Sequence, residues 1–155
     1  MSIWIGIDPG LNGGLAVIYP DEVLVFPTPV TDGKKREYLE QEMSRLIPAL
    51  NGTRAAIEYQ QAMPKQGVSS TFQTGMGYGL WRGILAALGI SYVIVKPQEW
   101  RKVVGLTAGE DKGASVALAQ RLFPSISDQL VGPRRGIKDG MAEALLIAEY
   151  RRRIG

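Results

Sequence analysis

The chain has 155 residues, 45% of them apolar and 21% charged, which are the proportions of one globular domain spanning 1–155. It holds no cysteine and no histidine. Disulfides, thiolate or imidazole zinc sites, Ser-His-Asp and Cys-His hydrolases and HNH-type nucleases are thereby excluded. The formal net charge is +3, which permits a polyanionic partner without demanding one.

Taken in chain order, Ile3 to Ile7 is a short β-branched run that stops at the turn Asp8-Pro9-Gly10. Leu15 to Tyr19 and Glu22 to Phe26 are two more apolar runs, separated by Pro20-Asp21. Three short strands joined by tight turns predict an antiparallel meander. Leu39, Met43, Leu46, Ile47 and Leu50 recur at helical spacing and predict a helix over 36–50. A fourth strand is expected over Arg54 to Glu58, then a polar loop over 59–67 and a long helix over Val68 to Leu88. Tyr92 to Val95 reads as a fifth strand, and Pro97 to Val104 as a short helix with proline in its first turn. Ala114 to Phe123 is a further helix stopped by Pro124, 125–137 reads as a loop, and Gly140 to Arg152 as a last helix. The order β-β-β-α-β-α-β-α-α-α predicts an α/β fold. Its mixed sheet has five strands, three antiparallel and then parallel, with helices on both faces. Neither a dinucleotide fingerprint nor a Walker A loop is present.

Four acids stand where folding alone does not ask for them. Asp8 ends the first strand and Glu58 the fourth, while Asp139 and Glu143 lie one turn apart on the last helix. Each has an ordinary alternative as turn residue, solvent-facing strand end, helix cap or surface acid. Brought together, they would form an oxygen-only donor set suited to Mg²⁺, with Mn²⁺ as a substitute. Two such ions per site are the usual machinery of phosphodiester cleavage.

The segments IGIDPGLNGGLAV, AAIEY, VIVKPQEWRKVVG and KDGMAEALLIAEY, in this order, resemble the RuvC family of Holliday junction resolvases, closest to its phage-type branch. The resemblance runs from Ile3 to about Tyr150. It implies an RNase H-like fold and a homodimer that nicks opposed strands of branched DNA, chiefly four-way junctions. Asp8, Glu58, Asp139 and Glu143 would be the metal-binding catalytic acids. Asp139 stands in for an acid that the family often places one residue later, where this chain has Gly140. Lys102 and Lys112 resemble basic positions near the scissile phosphate. Tyr59, Lys65, Gln66, Ser69, Ser70 and Phe72 are candidate DNA contacts in and after the loop that follows Glu58. No membrane partner or small-molecule cofactor is expected, and the setting implied is the cytoplasm, close to the nucleoid. A broader branched-DNA nuclease, an RNase H acting on RNA–DNA hybrids and a non-catalytic nucleic-acid module remain open alternatives. Two basic clusters, Lys34 to Arg36 and Arg134, Arg135, Lys138 with Arg151 to Arg153, are further candidates for phosphate contact. Gly75, Gly79 and Gly83, at four-residue spacing, would let a second helix approach closely.

Overall fold

The computed structural model describes the backbone of residues 1–131 and 135–155, and their side chains except for those of Lys112 and residues 135–138. Five strands form one sheet in the order β3-β2-β1-β4-β5. They are β1 (Ile3–Asp8), β2 (Gly14–Ile18), β3 (Val23–Pro27), β4 (Thr53–Glu58) and β5 (Ser91–Val95). The first three pair antiparallel, and β4 and β5 continue in parallel from β1. The predicted mixed sheet is therefore present.

Alternation along β1 divides two cores. Ile3, Ile5 and Ile7 face one side, where Met43 of α1 (Glu40–Arg45) and Trp81 and Leu85 of α2 (Val68–Ala87) cover them. Trp4, Gly6 and Asp8 face the other side. There α3 (Pro97–Val104), α4 (Lys112–Leu122) and α5 (Arg135–Ile154) pack on Ala16, Ala56 and Val95. Gly6 is required by this packing, because a Cβ there would run into the carbonyl oxygen of Ala144 and the backbone nitrogen of Ala148. Its missing side chain lets α5 lie directly on the central strand.

Three expectations are corrected. The helix predicted over 36–50 shrinks to the six residues of α1. Tyr38 instead makes an antiparallel bridge to Val30, and Leu39 donates its N–H to the Pro29 carbonyl. Pro48 prevents continuation at the other end. Much of the loop predicted over 125–137 is helical: a 3-10 helix spans Pro124–Leu130, and α5 begins at Arg135. The last helix, predicted to stop at Arg152, runs on to Ile154 and carries the C-terminal arginines within it. Arg151 is buried, donates from Nε to the Ala55 carbonyl at 3.0 Å and lies 6.0 Å from the Trp4 ring centroid. Arg152 and Arg153 both clamp the buried carboxylate of Glu149, and Arg153 also donates to the Val103 carbonyl at 3.0 Å. These cations fasten α5 to the sheet and to α3. Arg134 lies outside the described residues, as do the side chains of Arg135 and Lys138.

Candidate active site

Asp8 and Glu58 end adjacent parallel strands. Ile7 pairs with Ile57 in register, so the two acids follow side by side at the carboxyl edge of the sheet, on the face that α5 covers. The amino-terminal half of α5 crosses this edge at close range. A Cβ on Gly140 would strike the Asn12 carbonyl oxygen, and one on Gly14 would press on the backbone of Gly140 and Met141. This contact explains the position of the helix acids. Residue 140 faces the β1–β2 turn so closely that only glycine fits, and the carboxylate stands one residue earlier, at Asp139. Because α5 starts four residues before Asp139, this acid is not an N-cap. It is 6% exposed, and its Oδ1 is buried without a hydrogen-bond partner.

Glu58 is 8% exposed. Trp100 Nε1 donates to its Oε2 at 2.6 Å, and Gln60 Nε2 donates to its Oε1 at 3.2 Å. Burial pushes its pKa from 4.5 up to about 7, and the nearby charge of Glu143 adds to the rise. The hydrogen bonds from Trp100 and Gln60, and the field of Arg101, oppose it without cancelling it. The effect of Glu143 on Glu58 places the last helix and the fourth strand within electrostatic reach of each other.

Sequence reasoning missed Trp100 and Arg101 as parts of this site. Trp100 is 1% exposed and embedded between β5 and α4. Arg101 lies 5.4 Å from the Trp100 ring centroid and donates to Ser115 Oγ at 3.3 Å and to the Glu110 carbonyl at 2.8 Å. The Pro-Gln-Glu-Trp-Arg-Lys stretch was the available signal, but its helical phase had to be known first. Lys102, one residue on, is exposed. Lys112 opens α4 behind an Asp111 side chain that caps Ala114 N–H at 3.0 Å. The Lys112 side chain lies outside the described residues.

Two grooves flank the acidic edge. One, of about 430 Å³, is lined by Glu58, Tyr59, Gln60, Gln61, Lys96 and Gln98. The other, of about 530 Å³, is lined by Asn12, Arg36, Ser69, Ser70, Gln73 and Thr74. Ser69 and Ser70 thus share a groove with Arg36, whose Nη1 donates to the Leu11 carbonyl at 3.2 Å. Gln66 braces the loop between the grooves: it accepts from Met63 N–H and donates to Ser70 and Thr74. Lys65 is exposed at φ 66°. Tyr59 packs edge-on against Tyr78, while Phe72 is 65% exposed on α2.

The donor set suits a hard divalent cation. All four acids offer only oxygen, Asp139 Oδ1 has no partner, and Glu58 ionises with difficulty until positive charge compensates it. Among the described residues, no three acids are gathered closely enough to hold an ion as they stand. An arriving cation would have to draw them together.

No known family profile matches the chain. A 94-residue stretch, 61% of the chain, is 31% identical to the chloroplastic Holliday junction resolvase MOC1 of Chlamydomonas reinhardtii. That match spans 10% of the relative's length. Among solved structures, Thermus thermophilus RuvC in complex with a Holliday junction substrate superposes with a TM-score of 0.63 at 14% identity, over 100% of this chain and 97% of that one. A second Thermus thermophilus RuvC structure gives 0.59 at 16% identity, over 98% and 96%. The strand order, the helix laid over the acid-bearing strand ends and these superpositions together establish that the chain has the RuvC fold.

Proposed function

We propose that the protein is a divalent-metal-dependent endonuclease that resolves four-way DNA junctions by paired nicks on opposed strands. The observation that carries this reading is the placement of Asp8 and Glu58 at adjacent strand ends of a RuvC-fold sheet, with Glu143 of the covering helix within electrostatic reach of Glu58. The resolvase relative supports the same reading. Asp8, Glu58, Asp139 and Glu143 would hold Mg²⁺, or Mn²⁺ in its place, as two ions. Bound there, the metal would supply charge neutralisation at the phosphate and an acidified water. The chain's own residues do the rest. Asp8 would share a cation with Glu58 and with the α5 acids. Lys102, Lys112 and Arg36 would offer positive charge to the phosphates on either side of the cut. Tyr59, Lys65, Gln66, Ser69, Ser70 and Phe72 would line the path of the strand, with Gln66 acting by bracing the loop.

A homodimer would give a two-fold junction two equivalent sites. Its interface is assigned to the outer face of α2. A Cβ on Gly75, Gly79 or Gly83 would meet open space, and Met76, Leu80 and Ile84 form a shallow apolar trough beside them. Among the described residues no helix is long and apolar enough to cross a membrane. A resolvase of this kind would work on cellular DNA, at the nucleoid.

The test is to offer the protein a mobile four-way junction, a flap, a three-way branch, a linear duplex and an RNA–DNA hybrid in Mg²⁺. Symmetric, ligatable nicks confined to the four-way junction are expected. Comparable cutting of flaps and three-way forms would indicate a broader branched-DNA nuclease. Cleavage of the hybrid alone would refute junction resolution.

A further inference from the structure

Trp100 belongs to the buried core that includes Val95, Val104 and Leu118, and Glu58 is the partner of its indole N–H. Its indole ties down one carboxylate oxygen, Oε2, across 42 residues of sequence at 2.6 Å. The other oxygen, Oε1, has a longer bond of 3.2 Å from the half-exposed side chain of Gln60, which a stronger partner would displace. The indole itself cannot turn away. Arg101 lies over its ring and is anchored to Ser115 and to the Glu110 carbonyl. Pro97 opens its helix, and Gly105 closes it in the left-handed region at φ 99°.

We propose that Trp100 is a positioning residue that makes Glu58 a one-oxygen ligand and thereby biases the site toward Mg²⁺ over Ca²⁺. A carboxylate with both oxygens free can chelate an ion through two of them, the mode that larger, irregularly coordinated Ca²⁺ accepts. Mg²⁺ demands near-octahedral geometry and takes carboxylates singly. Holding Oε2 on the indole removes the chelating mode. The inference rests on the metal site proposed above.

Two measurements test it, neither of them cleavage. In ¹⁵N-labelled protein, the Trp100 indole N–H resonance should move as Mg²⁺ is titrated in. The indole of Trp81, buried without a partner on the opposite face of the sheet, is the internal control and should stay. This needs no variant. In the second, calorimetric titration compares wild type with Trp100→Phe, which removes the N–H and keeps a ring. Mg²⁺ affinity should fall about tenfold, as for other groups that orient metal ligands, with a smaller loss for Ca²⁺. An unmoved Trp100 indole at saturating Mg²⁺, or equal losses for both ions, would overturn the inference and leave the nuclease reading standing. Wild-type protein that binds neither ion would overturn both.

Discussion

Replacing Glu58 by glutamine should make the metal-free protein more stable at neutral pH while abolishing cleavage. Glu58 is buried, and its pKa lies at about 7 against an ordinary 4.5. A carboxyl raised in this way favours the folded state only while protonated. That contribution is complete below pH 4.5 and is lost as the pH climbs through the folded value near 7. At about 1.4 kcal/mol per pH unit, the loss across this window is on the order of 3 kcal/mol. No imidazole or thiol adds to the change, because the chain has no histidine and no cysteine. Glutamine keeps an oxygen for Trp100 Nε1 and carries no charge at any pH. Urea denaturation in EDTA at about pH 5 and about pH 8, on either side of the folded value, measures the effect. Wild type should lose stability between the two, and Glu58→Gln should lose much less. Millimolar Mg²⁺ at the higher pH should restore wild type by linkage and leave the variant nearly unmoved. Equal pH dependence in the two proteins would refute the reasoning, because no ionisation cost would then reside at Glu58.

Asp8→Asn should eliminate nicking while keeping or tightening junction binding in a gel-shift assay, since a negative charge beside the phosphate is removed. Gly140→Asp, combined with Asp139→Asn to move the acid by one residue, should not restore cleavage and should lower the melting temperature, because any Cβ at 140 meets the Asn12 carbonyl. Arg151→Ala should cost about 2–4 kcal/mol in chemical denaturation, through a cavity and the loss of a buried hydrogen bond to the Ala55 carbonyl. Arg152→Ala, at a half-exposed side chain, should cost under about 1 kcal/mol. Gly79→Arg should leave the fold intact, since its Cβ meets open space; sedimentation should show the dimer expected of wild type replaced by monomer.

The fold and the location of the acids were legible because both depend on local pattern. Period-two alternation identifies a strand, and Asp8 and Glu58 reveal themselves by ending such runs. The spacing of Asp139 and Glu143 needs only the helical period to put them on one face. The acid in place of a neighbour at 140 could be noticed in the sequence, but its reason could not. The reason is a steric contact between α5 and a turn more than a hundred residues earlier in the chain. The helix predicted over 36–50 failed for a related cause: its apolar spacing was sound, but Tyr38 had a strand partner in Val30 and Pro48 closed the far end. The arginines at 151–153 read only as candidate phosphate contacts, because charge in a sequence carries no record of the buried carbonyl or carboxylate that awaits it. Trp100 gave no sign of a polar partner for the same reason. A hydrophobic side chain packs without direction, so its burial is written in composition and period. A hydrogen bond needs two specific atoms within about 3 Å, and only the folded chain brings an indole and a carboxylate 42 residues apart to that distance.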